Sequence, residues 1–216
     1  MGHPMSISRD AFLSWIRAYA NSIAENKEFL TQLDAAIGDA DHGINMDRGF
    51  QAVAARLPTL ENQDIGALSK AIGMILISTV GGASGPLYGT FFMQIGLLAV
   101  GKLELTLDDW VAALGSGVDG VIRRGKASRG DKTMLDSLLP ALEALKTAAA
   151  DGATLSEALR ASEKAAYLGM LATIPMVAKK GRASYLGERS AGTQDPGSTS
   201  SYLLLKAAAN TWGDSK

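Results

Sequence analysis

Apolar residues in this chain recur mostly at helical spacing. Phe12, Trp15, Ile16, Tyr19 and Ile23 share one face of a helix predicted to follow Ser8, whose hydroxyl suits an N-cap. Met46, Phe50, Val53 and Leu57 make a second face that stops at Pro58. Asp64 is placed to cap a third helix carrying Ile65, Leu68, Ile72, Ile75 and Leu76, and Pro86 fits the first turn of a fourth. Thr106-Leu-Asp-Asp109 and Thr154-Leu-Ser-Glu157 have the form of capping boxes, opening helices expected to reach about Arg124 and about Ala178. Between them, Thr133 to Ala149 is rich in Leu and Ala and reads as another helix. A last helix is expected from about Ser198 to Asn210, after the turn signal Asp195-Pro196-Gly197. Alternating β-branched runs are nearly absent. The pattern therefore predicts an all-α protein, an antiparallel bundle with connections of modest length.

One segment imitates a membrane span. From Ala71 to Gly101 there is no Asp, Glu, Lys or Arg. Gly81-Gly82-Ala83-Ser84-Gly85-Pro86 breaks that run in the middle, so two buried helices joined at a glycine-rich turn explain it better than a bilayer crossing. The stretch from Lys179 to Gly197 is the longest irregular piece, of a length that belongs to functional lids or to disordered segments. No linker, fixed-period repeat or low-complexity tail divides the chain, and a single domain over residues 1–216 is expected.

Composition narrows the function classes. The 216 residues allow one domain with ample core. Basic and acidic residues number 21 and 22, and no basic tract appears, which argues against a nucleic-acid partner. The absence of cysteine fits a reducing compartment and removes disulfides and thiol nucleophiles. The stretch Met1 to Asp10 lacks the apolar core of a secretion signal, so a cytoplasmic protein is expected.

The candidate chemistry concentrates in Asp34-Ala-Ala-Ile-Gly-Asp39-Ala-Asp41-His42-Gly43-Ile44-Asn45. Three carboxylates so close together repel one another, and gathering them is costly without a cation. Their hard oxygen donors suit Mg2+ or Ca2+, and Mg2+ held this way commonly completes its shell with phosphate oxygens and water. The same aspartates also suit helix N-caps in a crowded turn. An EF-hand is excluded, because a loop starting at Asp39 puts Ile44 at the sharp-turn glycine and Phe50 at the bidentate glutamate. His42 can donate to a phosphate or serve a structural role.

Gly81 to Gly85, just before a helix start, suits a phosphate cradle or a tight interhelical turn. Gly125-Lys126-Ala-Ser-Arg-Gly130-Asp131-Lys132-Thr133-Met134 borders a phosphate or base, or is a solvated loop capped by Asp131 or Thr133. In the basic stretch Lys179 to Arg189, Arg182 or Arg189 can clamp a phosphate or lie on a charged surface. Two familiar strings are discounted. Gly115-Ser-Gly117-Val-Asp-Gly120 matches a dinucleotide fingerprint, but an amphipathic helix precedes it where a strand is required. Gly120 to Ala127 nearly matches a P-loop, but Ala127 has no hydroxyl for Mg2+.

Taken together and in order, Leu33 to Gly43, Val80 to Gly89, Gly130 to Met134, Gly181 to Arg189 and Asp195 to Gly197 closely resemble the ADP-binding L subunit of bacterial phosphoenolpyruvate-dependent dihydroxyacetone kinases. The resemblance runs from about Ser6 to the last helix. It implies a barrel of about eight antiparallel helices, with the nucleotide in the loops at one end. Asp34, Asp39 and Asp41 would hold two Mg2+ ions. His42, Gly43, Ile44, Asn45, Ala83 and Ser84 would contact the phosphates, and Gly125 and Met134 would border the adenine. Arg182, Asp195, Pro196 and Gly197 would complete the pocket.

The resemblance also implies partners. A K subunit carries dihydroxyacetone on its own histidine. A phosphohistidine-bearing M subunit of the phosphotransferase system recharges bound ADP to ATP, and the γ-phosphoryl passes to the ketose. No residue of this chain need react covalently, since phosphoryl transfer depends on positioning and charge neutralisation. Asp47 stands where Asn is expected and adds a negative charge near the metals. A homodimer is compatible with this picture, and a membrane is not part of it. Two rival functions are an exchangeable-ATP subunit of an ATP-dependent ketose kinase and a non-enzymatic ADP-dependent regulatory binding protein.

Overall fold

The computed structural model describes residues 6–213, and most of these are helical. Nine α-helices follow one another among the described residues: α1 (Arg9–Glu25), α2 (Lys27–Ile37), α3 (His42–Arg56), α4 (Ile65–Thr79), α5 (Ser84–Leu98), α6 (Leu107–Gly125), α7 (Leu135–Ala150), α8 (Leu155–Ala172) and α9 (Pro196–Trp212). Short 3-10 segments cover Leu57–Thr59 and Arg182–Ser190. A two-residue antiparallel pairing joins β1 (Ile7–Ser8) to β2 (Glu104–Leu105).

The caps read from the sequence are made. Ser8 accepts from the Ala11 amide, and Asp64 from the Ala67 amide. Thr106 with Asp109, and Thr154 with Glu157, form reciprocal boxes at the starts of α6 and α8. Three expectations are corrected. Helix α2, absent from the predicted elements, follows α1 with only Asn26 between, and Asp34 sits on its last turn. Helix α8 stops at Ala172 rather than near Ala178, since Pro175 disfavours helical geometry at Ile174 and has no N–H to offer. Asp195-Pro196-Gly197 is less a turn than a helix start: Asp195 caps α9 through the Ser198 amide, and Pro196 takes the first helical position.

The uncharged run resolves into α4 and α5, which pack closely along their lengths. A Cβ on Gly73 would lie 2.7 Å from the Gly89 carbonyl oxygen, so the backbones meet at a distance only glycine permits. No helix among the described residues is long and apolar enough to cross a membrane.

Sequential packing runs from α3 to α9, α9 returns against α1, and α1 packs on α3, with α2 lying across α3 and α9. The interior is aromatic. Trp15 is wholly buried between Phe12, Phe92, Trp110 and Trp212, with ring centroids 4.8 to 5.9 Å away. Its Nε1–H donates to the Leu204 carbonyl at 2.9 Å, tying α1 to α9.

Candidate functional site

Four connections line one cavity of about 790 Å3: residues 38–41, 81–83, 126–134 and the α8–α9 loop. That volume suits a nucleotide-sized ligand. Gathered on its wall are Asp34, Asp39, Asp41, His42, Ala83, Ser84, Gly125, Met134, Arg182, Asp195, Pro196 and Gly197, which lie far apart in the chain.

The carboxylates are held by the end of α2 and the turn after it. Asp34 is buried on the last turn of α2, and its Oδ2 accepts from the Asp41 and His42 amides at 2.8 and 3.1 Å. Gly38 is required where it stands, because a Cβ there would collide with Asp34 Oδ1. Ala40 takes a left-handed φ of 62°, a strained conformation for a residue with a side chain, and turns the chain between Asp39 and Asp41.

Asp34, Asp39 and Asp41 each offer one oxygen, and these lie within 4.8 Å of one another. Burial first, and the neighbouring Asp39 charge second, push the Asp41 carboxyl above its ordinary range. A converging set of hard oxygen donors that resist being charged together fits a divalent cation such as Mg2+. One cation of the chain already faces the cluster: Arg182 Nε lies 2.9 Å from Asp39 Oδ2, on a largely exposed side chain.

Two helix N-termini reach this cavity, α3 through His42 and α5 through Ser84. In α3 the Asp41 side chain makes no cap, and Asp34 takes the Asp41 and His42 amides. The first-turn N–H groups of Gly43 and Ile44 therefore have no helical partner to bind. Helix α5 opens at Ser84 without a side-chain cap. Such ends attract phosphate.

The side chains of residues 43–45 do other work. Gly43 packs against the Lys27 carbonyl, Ile44 points largely to solvent, and Asn45 accepts from Arg48 at 2.7 Å. Gly43, Ile44 and Asn45 do not line the cavity, so any phosphate contact from Gly43 or Ile44 would come from the backbone.

His42 is buried with both ring nitrogens engaged, Nδ1 with Ser84 Oγ at 3.0 Å and Nε2 with Ser200 Oγ at 2.9 Å. Burial holds its pKa down to about 4, against a smaller opposing pull from Asp34, so the ring is neutral at pH 7. Ser200 in turn meets the Tyr88 hydroxyl at 2.7 Å, and Tyr19 donates to the Ser200 carbonyl. His42 thus stands at the cavity wall beside Ser84 as one member of a buried chain, and it carries no charge with which to hold a phosphate.

On the far wall, burial pushes the Asp195 carboxyl up to about 7, with Asp136 adding to it and the Ser198 amide opposing. Asp47 is less disruptive than its charge suggests: it pairs with Lys27 at 3.2 Å, which offsets that charge before it reaches the cluster.

Sequence reasoning missed several supporting residues. Asp136 is buried and accepts from the Gly130 and Thr133 amides, shaping the 126–134 loop. Its signal was present as Thr133-Met-Leu-Asp136, the spacing of a capping box. Ser200 and Tyr88 gave no local signal, because their partnership with His42 spans α3, α5 and α9.

The chain is similar to known proteins along most of its length. The DAK2 domain family matches residues 36–210. The chain is 45% identical over 205 residues to the ADP-binding subunit DhaL of the PEP-dependent dihydroxyacetone kinase of Escherichia coli (strain K12), covering 95% of this chain and 98% of that one. Identity is 40% to the ADP-binding subunit DhaL of the PTS-dependent dihydroxyacetone kinase of Lactococcus lactis subsp. lactis (strain IL1403), over 91% of this chain and 94% of that one. The crystal structure of the dihydroxyacetone kinase from C. freundii in complex with AMP-PNP and Mg2+ superposes with a TM-score of 0.70 at 27% identity. That match covers 92% of this chain but only 33% of that one, so the chain corresponds to about a third of the C. freundii enzyme. An all-α protein with a carboxylate-lined cavity of nucleotide size is the class that fold and site define. The chain belongs to the DAK2 domain family, among the DhaL-type subunits.

Proposed function

We propose that the chain, read as one L-type domain over residues 1–216, is the nucleotide-binding subunit of a dihydroxyacetone kinase acting in the cytoplasm. The observation that carries this reading is the Asp34–Asp39–Asp41 cluster opening on a nucleotide-sized cavity with Arg182 at its edge. It stands in a chain similar over nearly its whole length to ADP-binding kinase subunits.

In this reading the three carboxylates hold two Mg2+ ions, which neutralise phosphate charge when bound. The chain's own groups position the nucleotide. The uncapped start of α5 faces the phosphates, the backbone of Gly43 and Ile44 at the start of α3 lies next to them, and Ser84 is oriented by neutral His42. Arg182 swings from Asp39 toward the phosphate oxygens. Gly125 and Met134 border the adenine, with Asp195, Pro196 and Gly197 closing the far wall. Transfer then rests on alignment and electrostatics rather than on a protein nucleophile. ADP stays bound as a coenzyme, a phosphohistidine-bearing M subunit recharges it, and the γ-phosphoryl passes to dihydroxyacetone on a K subunit.

A second reading is favoured by similarity to fused kinases. The human triokinase/FMN cyclase is 34% identical over 84% of this chain, which spans 31% of that protein. An exchanging, ATP-dependent subunit would suit such relatives. The test is to denature the purified protein and identify the released nucleotide. ADP in stoichiometric amount supports the coenzyme reading. An empty protein that supports ketose phosphorylation from added ATP, in the presence of a K subunit, supports the second.

A further inference from the structure

Lys132 is only 1% exposed, an unusual place for an ammonium. Its φ of 62° is left-handed, so the backbone is bent to aim the side chain inward. The Nζ donates to the Met176 carbonyl at 3.1 Å and to the Ser190 carbonyl at 2.5 Å. These acceptors stand on the two opposite arms of the α8–α9 loop. One lysine from the α6–α7 connection therefore joins both ends of the segment that carries Arg182.

The arms have further ties at the same place. The Ala178 amide donates to Ser190 Oγ at 2.8 Å, the Lys179 amide to the Asp131 carbonyl at 3.0 Å, and the Gly192 amide to the Ile174 carbonyl at 2.7 Å. Ala178 and Ala183 pack with Ile37 at the end of α2, which seats the loop beside the carboxylates. Lys132 brings an ammonium donor to this base, and hydrogen bonds from an ionised donor are roughly twice as strong as neutral ones. Burial pushes the Lys132 ammonium below its ordinary range, against a smaller opposing pull from Asp195.

We propose that Lys132 is a positioning residue: by clamping the Met176 and Ser190 carbonyls it fixes the loop geometry that sets Arg182 at the carboxylate cluster and the phosphates. This rests on the reading of Arg182 as a phosphate ligand. Lys132 lines the cavity, but its Nζ is directed to the Met176 and Ser190 carbonyls. Its ammonium is consumed by the loop, which distinguishes it from the surface cations Lys179 and Lys180 on the same wall.

The test is a double-mutant cycle on Mg-ADP affinity, measured by calorimetry on the full chain after removal of bound nucleotide. In the wild-type background Arg182→Ala is expected to weaken binding about tenfold, the loss of one charge-assisted contact. In a Lys132→Met background the same change is expected to cost less than about twofold, because Arg182 is no longer held in place. Hydrogen exchange of residues 174–192 should rise in Lys132→Met while that of α1 and α6 stays unchanged.

An Arg182→Ala effect undiminished by Lys132→Met overturns the proposal and leaves the role of Arg182 intact. An Arg182→Ala variant that binds as wild type overturns that role, and the proposal with it. Should Lys132→Met not fold, Lys132→Gln, which keeps two N–H donors at shorter reach, carries the same cycle. Failure of both to fold would assign Lys132 to the core and overturn the proposal.

Discussion

The aromatic interior and the loop end of this molecule are built on opposite principles. Around Trp15 the side chains are apolar and wholly buried, and the indole N–H finds its carbonyl. Around Asp34, Asp39 and Asp41 like charges converge, Ala40 is strained, and Gly38 admits no side chain. The first region gains stability from every contact. The second gives some of it up to hold a geometry that suits a cation and an anionic ligand. Stability and function are thus drawn from separate parts of one bundle, so mutations should separate them.

The largest effect expected is at the stable end. Trp15→Ala should lower the unfolding free energy by about 3–5 kcal/mol, seen in denaturant titrations, because it leaves a large cavity and removes the indole hydrogen bond to the Leu204 carbonyl. Once saturated, the folded fraction should still bind Mg-ADP with unchanged affinity.

Asp41→Asn should do the reverse. The metal-free protein should melt no lower than wild type, since a repelling charge is gone. The stabilisation by Mg-ADP, about 2.7 kcal/mol at a hundredfold excess over Kd, should vanish. A strong loss of apo stability in that variant would contradict the contrast between the two ends.

The smallest effect is a titration. His42 has a folded-state pKa of about 4, below the ordinary 6.5. Its contribution to stability is therefore fully present above about pH 6.5 and is lost as the pH falls through about 4. Ring NMR shifts of the metal-free protein should show a neutral imidazole at pH 5.5. Protonation near pH 6.5 would mean that the His42–Ser84–Ser200 chain is open.

Much of the stable end was legible in the sequence, because its determinants are local. Helical spacing from Phe12 to Ile23 and the boxes at Thr106 and Thr154 act within a few residues, and the all-α class followed from them. The end of α8 was misjudged where apolar spacing ran on through Met176 and Val177, but Pro175 outweighed it. Helix α2 was not predicted, and Asp34 stands on its last turn.

At the site, the residue types were legible and their supports were not. Clustered aspartates and glycine-rich turns are visible as strings. Arg182 reaches Asp39 across 143 positions of the chain, and His42 meets Ser200 across 158, distances that no local pattern encodes. Lys132 was read as one of several loop cations, since nothing in the string says that its side chain turns inward.

The central claim is that the carboxylate cluster binds nucleotide through metal. Calorimetric titration of nucleotide-free protein with ADP, with Mg2+ present and then with the metal chelated, tests it most directly. Tight binding of one ADP per chain in Mg2+, weakened at least about a hundredfold by chelation and equally by Asp34→Asn, is the predicted result. Equal ADP affinity with and without metal would contradict the account.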